Sequence, residues 1–127
     1  MTPELQINIT LAMCLEGFLF HEGVFFNPLG EEISFSKFPD YFNNSEDAIR
    51  LVEVLRSNFN VYIVIEPFEE GYKARVERQP IMDSEGNPVE YADPDSWTGE
   101  AAAGTMEAAI TLMARTAVEA LVRKGII

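Results

Sequence analysis

Apolar residues recur at helical spacing in three stretches of the chain and at strand spacing between them. Over residues 2–17, Leu5, Ile9, Ala12 and Met13, with Leu11 and Leu15, make one broad apolar face. Thr2 is placed to cap this first helix, Pro3 suits its first turn, Glu4 complements its dipole, and Gly17 marks its stop. The run FLFHEGVFFNPLGEEISFSKF follows, rich in phenylalanine and punctuated by the turn signals EG and NPLG. It predicts two or three short strands between residues 18 and 37.

In the second helical stretch Asn43 or Asn44 can cap, and Glu46 and Asp47 lie in the first turn. Ala48, Ile49, Val52 and Leu55, with Leu51, form the apolar stripe. Arg50, Glu53 and Arg56 face water, with Glu53 within reach of either arginine. VYIVIE (61–66) is apolar on both faces, the pattern of a central strand covered on both sides. Tyr72–Gln79 alternates, so it reads as a hairpin partner with one wetter face. IMDSEGNPVEY predicts a second hairpin turning at DSEGNP, and EAAAG a short final strand of small residues beneath a close helix. Thr105 caps the last helix, whose buried side is Ile110, Met113, Ala114, Ala117, Val118 and Leu121, and Gly125 follows as its stop. The order helix, strands, helix, strands, helix predicts an α+β fold. The expected form is a single domain over 1–127, a three-layer α-β-α sandwich with a mostly antiparallel sheet of about five strands and three helices.

Parts of this pattern resemble the phage α-β-α sandwich domain, a family of small phage and prophage proteins. Pro39 and Tyr41 match its loop before the middle helix, and Leu51, Val52, Glu53 and Leu55 match that helix. Ala101, Ala103 and Thr105 match its approach to the terminal helix, where Ala109, Ala114, Arg115 and Ala117 fall. The chain departs from the family at Met106-Glu107, where a proline is common, and in the longer insert RQPIMDSEGNPVEYADPDSW. The resemblance implies a phage origin and a fold. It implies no catalytic residue.

Charge changes the picture more than composition does. Nine Lys and Arg stand against 21 Asp and Glu in 127 residues, a net charge of −12. A field of that sign repels phosphate backbones and anionic membranes, so direct binding to nucleic acid or membrane is not expected. A basic protein partner is. The start carries no basic residue and no apolar run reaches membrane length, so neither export nor a membrane span is expected. The single cysteine, Cys14, forms no internal disulfide. It is expected to be buried, and the cysteine usage fits a cytosolic setting, which the resemblance would make that of an infected or lysogenic bacterial host.

Four features are candidates for chemistry. Phe38, Tyr41 and Phe42 precede the second helix at a spacing that would cradle a planar ligand, or would seal the join between helix and sheet. Asp83, Glu85, Glu90, Asp93 and Asp95, with Trp97, form an acidic segment without Lys or Arg, suited to docking a protein. Its glycine position does not fit a calcium loop, and His21 has no second His to make a metal set, so neither metal nor cofactor is expected. AAAGTMEAA lacks the Lys-Ser/Thr of a phosphate loop, and no Ser-His-acid or CxxC arrangement is present. The expected function is therefore non-enzymatic: a phage accessory protein binding a protein through its acidic surface, as a nucleic-acid mimic or an inhibitor of a host factor. The alternative is a small-molecule or nucleotide-sequestering module built from the aromatic loop with Lys73, Arg75 and Arg78. An exposed sheet edge offers a route to a homodimer.

Overall fold

The computed structural model describes residues 1–78, 81–82, 84–86, 88–89 and 100–127. It is an α+β fold of three helices and short antiparallel sheets. Helix α1 (Pro3–Leu11) runs into a π-helical turn over Ala12–Glu16. A first sheet of β1 (Leu19–His21), β2 (Val24–Phe26) and β3 (Glu32–Ile33) follows, then a 3₁₀ turn over Phe35–Lys37. Helix α2 (Ser45–Phe59) leads into a second sheet of β4 (Val61–Phe68), β5 (Gly71–Arg78) and β8 (Glu100–Ala103). Between β5 and β8, β6 (Ile81–Met82) pairs with β7 (Pro88–Val89). Helix α3 (Met106–Arg123) closes the fold.

Local chemistry accounts for the element ends. Thr2, Asn44 and Thr105 each accept the backbone N–H three residues on, capping the three helices as expected. Glu22 and Gly23 both take positive φ, 51° and 80°, which makes the two-residue link between β1 and β2 a turn whose twist matches the strands. Glu69 and Glu70 link β4 to β5, and Gly71 then takes φ 143° while passing close under the Ala103 carbonyl.

The core lies on one face of the second sheet. Val61 and Ile63 on β4 and Val76 on β5 pack against Leu51 and Leu55 of α2 and Ala114, Ala117 and Val118 of α3. Ala74, Ile65, Ala101 and Ala103 meet Ala109 and Met113. The small residues of β8 thus let α3 approach closely, as the sequence implied. The strand arrangement differs from the expectation. The sheet order is β4-β5-β8, so among the described residues β5 is the middle strand and β4 stands at the margin. Tyr62 and Val64, on the opposite face of β4, are half-buried and join neither core cluster. Among the described residues the strands form two three-stranded ladders and one two-stranded ladder rather than one sheet of five. β5 tolerates the central place because its charges are matched locally: Arg75 bonds to Glu66 across the strand pair and to Glu77 along its own strand.

Replacing Gly71 by alanine forces a Cβ into the Ala103 carbonyl at a φ that L-residues rarely adopt. Gly71→Ala should cost about 2 kcal/mol or more in chemical denaturation, because the β5–β8 ladder must shift to admit it. An unchanged denaturation midpoint would contradict the close approach.

Candidate functional site

The aromatic loop before α2 sits at a polar junction that joins α1, the π-helical turn, α2 and α3. Tyr41 has no exposed surface, and Phe38 and Phe42 are also buried. The Tyr41 hydroxyl donates to one carboxylate oxygen of Glu16, and the Arg50 Nε donates to the other at 2.8 Å. Arg50 also reaches Asp47 Oδ1 at 2.8 Å, while Asp47 Oδ2 accepts the Asp40 backbone N–H at 2.9 Å. Buried Asn8 completes the junction from α1: its carbonyl oxygen accepts the Tyr41 N–H, and its amide donates to Asp40. From α3, the buried Thr111 hydroxyl lies 2.8 Å from the Tyr41 carbonyl and 2.7 Å from the Glu107 carbonyl, sharing its single proton between them.

The electrostatics follow from this geometry. Burial, then the bond to Glu16 and that carboxylate's charge, raises the Tyr41 pKa well above the ordinary tyrosine value. The bond to Glu16 raises Arg50 further above its already high range. At the adjoining helix N-termini, Ser45 donates to Glu107 at 2.7 Å and holds that carboxyl below its usual range. The side chains of Asn8, Glu16, Tyr41, Asp47, Arg50 and Thr111 bond to one another or to the loop backbone, so the junction's chemistry is that of a clasp.

Beside the loop, a cleft of about 230 Å³ is lined by Phe35, Phe38, Asp40 and Asn43 with Thr2 and Asn8. Phe38 contributes an edge, but Tyr41 points into the core and cannot stack a ligand without moving the loop. Lys73 and Arg75 do not join the loop either. They occupy the opposite face of the second sheet, with Lys73 over the Phe68 ring at 5.2 Å and Arg75 held by Glu66 and Glu77. The structure therefore does not assemble the aromatic loop with these two cations. The Arg78 side chain lies outside the description.

Of the acidic segment, Glu85 is exposed, while Asp83, Glu90, Asp93, Asp95 and Trp97 lie outside the described residues. His21 is exposed and stands 3.7 Å from Glu22. Among the described residues no cluster of His, Cys, Asp and Glu is arranged to hold a metal ion, and no helix is long and apolar enough to cross a membrane. Cys14 is exposed, against expectation. Met13 and Ile49 are exposed as well, although both were assigned to apolar faces. What sequence reasoning missed was Asn8 and Glu16, polar residues on an apolar helix whose role depends on partners more than twenty residues away.

Two outcomes test the clasp. Tyr41→Phe should lower stability by about 1.5–3 kcal/mol, the range for a bond to a charged group. In the unmutated protein this contribution is intact below the ordinary tyrosine pKa of 10 and is lost as pH rises above it, because only the unfolded chain ionises readily there. Phenolate absorbance followed together with circular dichroism should show Tyr41 ionising only as the fold melts. Ionisation of Tyr41 in the intact fold would refute the assignment. Separately, Thr111→Val should cost about 1–3 kcal/mol by leaving the Tyr41 carbonyl unsatisfied, and Thr111→Ser should cost less.

No family model matches this chain, and neither a curated protein nor a solved structure matches it.

Proposed function

We propose that this chain is a non-enzymatic, acidic protein-binding module. The observation that carries the reading is the excess of 21 acidic over nine basic residues. Arg50, Arg75 and Arg115 each face carboxylates of the same chain, and such pairs leave the net excess of acids unchanged. Exposed Glu66, Glu69 and Glu70 crowd one end of the second sheet, and exposed Glu85 lies in the acidic segment that runs on through Asp83, Glu90, Asp93 and Asp95, with Trp97 as an anchor. A partner with a basic face, such as the nucleic-acid site of a host factor, is the complement such a field selects. The likeness to the phage α-β-α sandwich domain supports a phage or prophage origin and action in the host cytoplasm. The same likeness implies a helical layer on each side of the second sheet, including the face that carries Tyr62 and Val64.

Affinity capture from a bacterial lysate at about 0.05 M and about 0.5 M salt tests the reading, since screening shortens the reach of exposed charge over that range. The captured protein should be basic and should be released at the higher salt. A variant with Asp83→Asn, Glu85→Gln, Glu90→Gln, Asp93→Asn and Asp95→Asn should lose it. Capture indifferent to both salt and these substitutions would overturn the proposal, as would a nucleotide that raises the melting temperature by several degrees in the absence of any protein.

A further inference from the structure

The first sheet has two unlike faces. Its register pairs Phe20 with Phe25 and Phe25 with Ile33, and these three pack into the core. By alternation, Leu19, His21, Val24, Phe26 and Glu32 point the other way. Leu19, His21 and Phe26 of that outer face, with Met13 and Gly30 and the edge strand's Phe20, line an open groove of about 540 Å³. Leu19 is 51% exposed and Met13 42%, so apolar surface stands open to solvent at the groove.

Three carboxylates neighbour the groove's residues in the register and along the chain, Glu22 beside His21 of the lining. Glu32 lies opposite Phe26 in the register, Glu22 forms the hairpin turn next to His21, and Glu31 follows Gly30; all three are exposed. The chain has no Lys or Arg before Lys37. A second copy laid face to face across a two-fold axis would bring the two sets of carboxylates together, so charge disfavours self-association here. We propose that this groove is a docking site for a segment of another protein whose apolar side chains are flanked by lysine or arginine. The apolar side chains fill the groove and the cations meet Glu22, Glu31 and Glu32. The site rests on residues different from those of the 83–100 segment, so either can stand without the other.

The probes are two synthetic peptides, each with leucine and phenylalanine on one face and either lysine or glutamate on the other. Their binding to the full chain is followed by fluorescence anisotropy and by amide chemical shifts. The lysine peptide should bind at least about tenfold more tightly than the glutamate peptide. It should shift the resonances of Met13, Leu19, His21, Phe26 and Gly30. Leu19→Glu is diagnostic because it removes apolar surface while adding negative charge. It should weaken the lysine peptide by about tenfold or more, whereas a merely electrostatic association would strengthen. Leu19 is already exposed, so the variant should keep the parent's circular dichroism spectrum and melting temperature. If Leu19→Glu unfolds the chain, Leu19→Ser serves the same comparison. The site is refuted if neither peptide binds, if shifts fall only on residues 83–100, if Leu19→Glu binds as well as the parent, or if sedimentation shows the face buried in a dimer. The first three results leave capture through the acidic segment untouched, and loss of that capture leaves the groove untouched.

Discussion

A tyrosine hydroxyl carried out of water must find a partner, and the arrangement of all three helices follows from how Tyr41 finds one. The ring fills space between α1, α2 and α3, where its apolar body is favourable and its polar tip is costly. Glu16 answers the tip, but a carboxylate whose side chain is 9% exposed needs a counter-charge, and Arg50 supplies it from α2. Arg50 is in turn oriented by Asp47, which also holds the loop backbone at Asp40. Each link is required by the one before it. The chain of partners fixes the height and rotation of α2 against the π-helical turn, and Thr111 carries the constraint on to α3. The hydrophobic contacts supply most of the driving force, and this network selects one packing among those the apolar faces would accept.

This constraint separates structural from available charge. Glu16, Asp40 and Asp47 are spent inside the clasp and Glu66 faces Arg75, whereas Glu22, Glu31, Glu32, Glu69 and Glu70 face outward. The outward set gives long-range attraction for a basic partner but little grip in salt. Apolar surface gives grip that salt does not weaken. The outer face of the first sheet has both properties within a few residues, and the acids of the second sheet have mainly the first.

Features decided within a few residues were legible in the sequence. The caps at Thr2, Asn44 and Thr105, the turn at Glu22-Gly23 and the stripe along α3 from Ile110 to Leu121 are local choices, and the structure has them where the pattern put them. The face of α1 and the turn after it was largely legible: Ile9, Leu11, Ala12 and Leu15 are buried as the apolar spacing implies, while Met13 is exposed and the polar Asn8 is buried among them. Cys14, expected inside because free cysteines are commonly buried, is exposed. Strand order was not legible. β4 is the more apolar strand and β5 the more charged, yet β5 is in the middle, because Arg75 finds carboxylates on its own sheet face. The clasp itself was invisible, since Tyr41 and Glu16 are 25 residues apart and each alone is unremarkable.

The two ways in which the second sheet is stitched bear on the order of its assembly. β4 and β5 are joined by two residues and can zip from their turn almost as soon as they are made. β8 reaches β5 only after the chain has travelled from Arg78 to Glu100, and it brings α3 with it. Closing so long an excursion is entropically slow, and its reward arrives only when α3 docks. Until then only α2 is at hand to cover the apolar side of the β4–β5 hairpin, and the surface that α3 will take stays open in the nascent chain, where a net charge of −12 opposes association of half-made copies.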